Sequence, residues 1–215
     1  NDSLKGRKPG TRGFAMAADY VVSQFKALGL QPAGENKSFR QSVPLRRWQT
    51  NEAGSSMAMI TNGREQSLQY GKQFILNPNP DHPTSEVSAP VVFVGYGVSA
   101  PELDYDDYAG IDVKGKIVAF LNGAPASFPS NQRAYYSSSK AENAVAHGAL
   151  GTIAFSMPTD LRNRIETAAP RNRQGIYRWV DKQGKPQRTY PAIKGVASLG
   201  DSTARLLFAN APTPF

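Results

Sequence analysis

His82 and His147 are the only imidazoles in the chain. A metal centre needs several imidazole or carboxylate ligands that converge. His82 follows Asp81 in a proline-rich stretch and His147 ends a small-residue helix. Neither belongs to an H-x-D or H-E-x-x-H pattern, so both read as structural or surface residues. Asp104-Tyr-Asp-Asp107 offers hard oxygen donors without the spacing of a calcium loop, and reads as a solvated turn with caps. Ser137-Ser-Ser-Lys140 has the S-x-x-K spacing of a serine nucleophile and a lysine base, but no K-T-G accompanies it, and helix capping accounts for the serines. Gly97-Val-Ser-Ala-Pro101 lacks the second glycine of a nucleophile elbow, and Gly95-Tyr-Gly97 lacks the third glycine of a dinucleotide fingerprint. Asn36-Lys-Ser38 matches a glycosylation triplet, a pattern common by chance. The absence of cysteine excludes disulfides, thiolate metal sites and cysteine nucleophiles.

Aromatic and basic residues interleave at two places. Arg133, Tyr135 and Tyr136 form one set, and Arg171, Arg173, Arg178 and Trp179 the other. Stacking plus charge can bind single-stranded nucleic acid. The same types are enriched where proteins touch, and these seven are read as candidate contacts to a partner or substrate. The net charge is +8, but it is unevenly placed. Residues 1–50 carry nine basic residues and three acids, 73–113 seven acids and no Lys or Arg, and 161–190 eight basic residues against Glu166 and Asp181. No nucleic-acid motif goes with the basic blocks, so no nucleic-acid partner is expected.

The chain has 215 residues, 40% hydrophobic and 20% charged, enough for a packed core. No apolar run is long enough to span a bilayer and no basic-then-apolar leader opens it, so Asn1 reads as a processed or engineered start. The clearest element is a helix over 11–28. Thr11 is placed to cap it, Phe14, Ala17, Ala18, Val21, Val22, Phe25 and Leu28 fall on one face, and Gly29 is placed to stop it. Such a face must be buried against something. Strands are predicted over 38–48 and over 55–61, the latter turning at Asn62-Gly63, and a proline loop over 77–90. Val91–Val98, Lys116–Leu121 and Gly151–Ser156 are short continuous apolar runs, suited to strands covered on both faces. A helix over 139–149, with Ser139 and Glu142 as a capping box, makes the last two runs a βαβ candidate with parallel strands. A hairpin over 175–190, a strand over 191–198 and a helix capped by Asp201 or Ser202 complete the reading.

The opening resembles the secreted two-zinc aminopeptidases, the family that also includes glutamate carboxypeptidase and the transferrin receptor. The residues that carry the resemblance are Leu4-x-Gly-Arg-x-Pro-Gly-Thr-x-Gly13, Ala17-Ala-x-Tyr20, Phe25-x-x-Leu-Gly-Leu-x-Pro-Ala-Gly34 and Phe39-x-Gln41. The stretch Val91–Gly97, Tyr105-Asp-Asp-Tyr-Ala-Gly-Ile-Asp-Val-Lys-Gly-Lys-Ile-Val118, Asn122-Gly-Ala-Pro125 and Ala141–Phe155 looks like a protease-associated domain. In that family the domain is inserted after the opening segment and before the zinc ligands. The resemblance therefore implies an α+β fold. Residues 1–44 would be the opening helix and strand of a missing α/β peptidase domain. Residues 45–210 would be a β-rich protease-associated domain with mixed sheets, a local βαβ unit and flanking helices, and 211–215 a linker.

The family's zinc ligands and its glutamate base would follow Phe215, so the resemblance carries no catalytic and no metal-binding residue onto this chain. It implies no cofactor here, zinc in the parent, and a zinc-activated water attacking peptide bonds there. The implied partners are the catalytic domain of the same polypeptide and a peptide or protein substrate, in a secreted, periplasmic or cell-envelope setting. Two other readings stay open: a free-standing protease-associated interaction module, and a basic binder of nucleic acid or anionic surfaces.

Overall fold

The computed structural model describes Leu4, 6–157, 164–209 and 211. The chain divides into two units, Asn1–Pro44 and Leu45–Phe215.

In the first unit, helix α1 runs Arg12–Ala27. The Thr11 hydroxyl accepts the Phe14 N–H at 3.3 Å and closes its start. At its end Gly29 takes φ +73°, the Leu30 N–H donates to the Phe25 carbonyl, and the Gly29 N–H donates to that of Lys26. This is the paired closure that a left-handed glycine permits after a helix. Phe39 returns to set its ring 6.1 Å from that of Phe25, and Arg40 forms an ion pair with Asp19. Of the predicted strand over 38–48 only Leu45–Trp48, β1, is paired as a strand, and it opens the second unit. Pro44, which has no N–H to give a ladder, precedes it.

The second unit is built on a five-stranded mixed sheet. Its strands are β4 (Phe74–Leu76), β5 (Val91–Phe93), β8 (Ile117–Leu121), β9 (Gly151–Phe155) and β11 (Gly195–Leu199), in the order β4-β11-β9-β8-β5. β5, β8, β9 and β11 are parallel to their neighbours and β4 is antiparallel at one edge. The apolar runs of β8 and β9 are covered on both faces as their composition requires, whereas β5, at the sheet edge, leaves Val91 and Phe93 exposed. Val118 and Phe120 face Ala144 and Ala149, from helix α3 (Lys140–Ala146) and the turn after it. Ala119, Ile153 and Phe155 face Phe74 and Ala204, the latter on helix α5 (Asp201–Leu207). The chain passes from β8 through α3 to the parallel β9, the βαβ unit that the apolar runs led one to expect.

Three smaller two-stranded sheets flank this core: β2 (Ala58–Thr61) with β3 (Arg64–Ser67), β6 (Ser99–Ala100) with β7 (Tyr105–Asp106), and β1 with β10 (Ile176–Trp179). The first turns at Asn62-Gly63, both at positive φ, as that pair favours. The expected hairpin over 175–190 forms only as the bridge Val180–Pro186; β10 takes β1 as its strand partner instead. Two helices had no expectation. Helix α2 (Ser130–Ser138) is short and weakly amphipathic, and α4 (Ile165–Asn172) contains Pro170, which ordinarily argues against a helix. Among the described residues no helix is long and apolar enough to cross a membrane. Residues 212–215 of the expected linker lie outside the described residues.

Candidate functional site

Open sheets offer ligands a crevice beyond the carboxyl ends of their parallel strands. Here the chain fills that place with its own side chains. Lys140, at the start of α3, is 6% exposed. Its Nζ donates to the Leu121 carbonyl at the end of β8, at 2.9 Å, and to the Tyr96 carbonyl in the loop after β5. The ammonium lies 5.6 Å from the Tyr96 ring centre and 5.2 Å from that of Phe120. Burial pushes its pKa from 10.5 down to about 8, against the pull of the Asp107 carboxylate in the other direction.

Asp107 holds the facing loop. Its Oδ2 accepts the N–H groups of Tyr96 and Val98, each at 3.0 Å, and its Oδ1 accepts the Tyr105 hydroxyl at 2.7 Å. Gly95 has φ +52°, and a Cβ there would come within 2.3 Å of Asp107 Oδ1, so the loop closes only around a glycine. Asn143 donates to the Gly97 carbonyl, and Asn122 to the Ser156 hydroxyl, which ties the end of β8 to that of β9. Burial is the leading cause of raised pKa values at Tyr105 and Tyr108, with nearby aspartates adding to it.

A lysine with a lowered pKa can act as base or nucleophile once substrate reaches its nitrogen. Here two carbonyls and two rings occupy the approaches to Nζ, so the group clamps two strand ends. The S-x-x-K spacing does not make a base of Lys140 for Ser137: its Nζ donates to the Tyr96 and Leu121 carbonyls, while the two intervening serines, Ser138 and Ser139, donate to the carbonyls of Tyr135 and Tyr136. The expected capping box is likewise absent, since Ser139 makes no side-chain cap bond to the start of α3. The acidic run is more than a solvated turn. Asp104 is left-handed at φ 52° and Asp106 caps the Tyr108 N–H, but Asp107 turns inward.

The histidines hold structure. His82 Nε2 bonds the Pro191 carbonyl at 2.7 Å, while His147 bonds the Asn143 carbonyl and stacks on Tyr108 at 4.1 Å. Among the described residues no group of three His, Cys, Asp or Glu could hold a metal ion.

The seven candidate contact residues lie on different elements. Arg133 and Tyr135 are exposed on α2, but Tyr136 is buried, with its hydroxyl donating to Glu102. That carboxylate pushes the phenol pKa up to about 12. Arg171 is in the last turn of α4, and Arg173 follows the helix and pairs with Glu52 at 2.8 Å. Arg178 and Trp179 lie on β10, where the Arg178 guanidinium donates to the carbonyls of Gln187 and Arg188. Arg162, from the same basic block, is outside the described residues. The sequence reading passed over Lys140 and Asp107 as a pair, because they are far apart in the chain and each is ordinary in its own segment.

The first unit has an open groove of about 460 Å³, lined by Phe14, Val21, Val22, Phe25, Phe39 and Arg40 among others.

No protein-family model matches the sequence, and no curated protein matches it. Among solved structures it is similar to an aminopeptidase from Aneurinibacillus sp. strain AM-1, at 19% identity and a TM-score of 0.42, over 95% of this chain and 37% of that one. It is also similar to BSAP, a zinc aminopeptidase from Bacillus subtilis, at 18% identity and a TM-score of 0.35, over 96% of this chain and 38% of that one. The chain thus spans under two fifths of the length of either structure.

Proposed function

We propose that this chain is a non-catalytic portion of a zinc-dependent aminopeptidase. In this reading residues 1–44 are the opening helix and strand of the peptidase domain, and the following unit is a protease-associated domain that shapes substrate access or makes protein contacts. Peptide hydrolysis and zinc belong to a further part of the parent, which acts in the periplasm, the envelope or the medium. The reading is carried by one observation. Helix α1 has the apolar spacing of a buried helix, yet Phe14 is 46% exposed, Val21 45% and Leu28 74%. A face of that composition needs a packing partner, and the resemblance carried by the opening motif Leu4–Gly13 supports a peptidase domain as that partner. The test is the size of the native species, detected with an antibody against this chain. A species much heavier than 23.3 kDa, with zinc and aminopeptidase activity in the same fraction, is expected. A native species near that mass, without either, would leave a free-standing interaction module.

A further inference from the structure

The ribbon formed by β1 and β10 carries charge and an open edge that the peptidase reading does not use. In its antiparallel register Arg46 faces Arg178 and Trp48 faces Ile176, while Leu45 faces Trp179 and Arg47 faces Tyr177. Side chains alternate along a strand, so these pairs fall on opposite faces of the ribbon. On the first, the Arg46 guanidinium lies 6.0 Å over the Trp48 ring. The second is exposed at Leu45, Tyr177 and Trp179. The turn after β10 adds Lys182, Lys185 and Arg188 against Asp181, whose carboxylate accepts the N–H groups of Gln183 and Lys185. Among the described residues none of Arg46, Arg47, Arg178, Lys182, Lys185 and Arg188 belongs to an ion pair.

The hydrogen bonds show which edge is open. The Gln187 N–H donates to the Trp179 carbonyl and the Asp181 N–H to the Lys185 carbonyl, so residues 185–187 cover the outer edge of β10. A strand residue turns its N–H and C=O to the same side, and that side alternates. Trp179 and Tyr177 therefore point theirs away from β1, and their partners Leu45 and Arg47 point theirs out from the other edge. Among the described residues the Leu45 and Arg47 groups on that outer edge have no backbone partner, because β1 pairs with β10 alone.

We propose that the outer edge of β1 binds an extended acidic peptide segment as an added strand. Its carboxylates lie on the Arg46–Arg178 face, and the alternate, apolar residues lie on the Leu45–Tyr177–Trp179 face. Strand addition uses the edge N–H and C=O groups for affinity and alternate side chains for selection. A nucleic acid would use the cations and rings, but not carbonyl groups at strand spacing. The surface stands on the ribbon alone and holds whether or not the chain is part of a peptidase.

The experiment is fluorescence anisotropy of the full chain with a labelled peptide alternating glutamate and valine. Three other probes accompany it: the same composition in two blocks, the alternating peptide methylated on its backbone nitrogens, and an oligothymidylate. The alternating peptide is expected to bind, to weaken with salt, and to slow hydrogen exchange at the Leu45 and Arg47 amides. The block and methylated peptides should bind about tenfold more weakly, as should the alternating peptide to the Arg46→Glu variant, which reverses the charge on the face that takes the carboxylates. The exchange readout needs no variant and stands if Arg46→Glu misfolds. The proposal is overturned if the alternating peptide fails to bind, if the methylated peptide binds as well as its parent, or if oligothymidylate binds more tightly than either.

Discussion

Lys140 is a cation placed where the fold disfavours charge. Two carbonyls and two ring faces offset part of the desolvation, and the balance still lowers its pKa to about 8. Between pH 8 and 10.5 the unfolded chain holds a proton that the folded chain has released. The unfolded state then binds more protons, so stability rises with pH through that window. The penalty is fully present below pH 8, amounts to about 3 kcal/mol, and is gone above the ordinary lysine value. Two phenols, Tyr70 raised by burial and Tyr136 by its hydrogen bond to Glu102, oppose this at higher pH. Tyr70 and Tyr136 both have raised pKa values, so the unfolded chain loses their protons first and stability falls above pH 10. Urea unfolding should therefore show the midpoint climbing from pH 8 toward 10 and then turning down. In Lys140→Met the aliphatic stem remains and the titrating group is gone, so the climb should vanish whatever the variant's overall offset. An equal climb in the variant would place the titration elsewhere.

The elements that the sequence made legible are those whose physics is local. Helix α1 was readable from end to end, because a capping threonine, an apolar stripe and a left-handed glycine all lie within its own segment. The apolar runs became β5, β8 and β9, and in β8 and β9 continuous burial on two faces leaves a continuous mark in composition. What stayed hidden depends on distant partners. β10 looked like one arm of a hairpin, and only the register with β1, far back in the chain, shows otherwise. Helix α4 forms in spite of Pro170 because Ile165 and Ala169 bury against Ile75. Tyr136, read as a contact residue from its neighbours, is inside because Glu102 and Phe128 meet it there. The buried sheet also sets a size of effect. Phe155 is 1% exposed, stacked on Phe93 at 5.9 Å and set edge-on to Phe208 at 5.8 Å. Its truncation to alanine should cost about 3–5 kcal/mol in denaturant unfolding. A loss below about 1 kcal/mol would mean that this side of the sheet collapses to fill the space.

At the scale of the whole molecule, the division into two units has consequences for stability. The four apolar clusters of the second unit are built between Met57 and Phe208, and their strands pair among themselves. Helix α1 depends instead on Thr11, Gly29 and Phe39, all within the first forty residues. An isolated helix of this length is marginal in water, because nucleation is costly and most helical stability comes from packing an apolar face. Local opening should therefore be unequal. In native-state hydrogen exchange the α1 amides should exchange far faster than those of β8 and β9, which should open only with global unfolding. Replacing Phe14 and Val21 by serine should leave the main urea transition within about 0.5 kcal/mol of the parent, while lowering the helical signal lost before it. If the double replacement moves the main transition by several times that amount, the apolar face of α1 is part of the core of this chain. The partner sought for it in a larger enzyme would then be unnecessary.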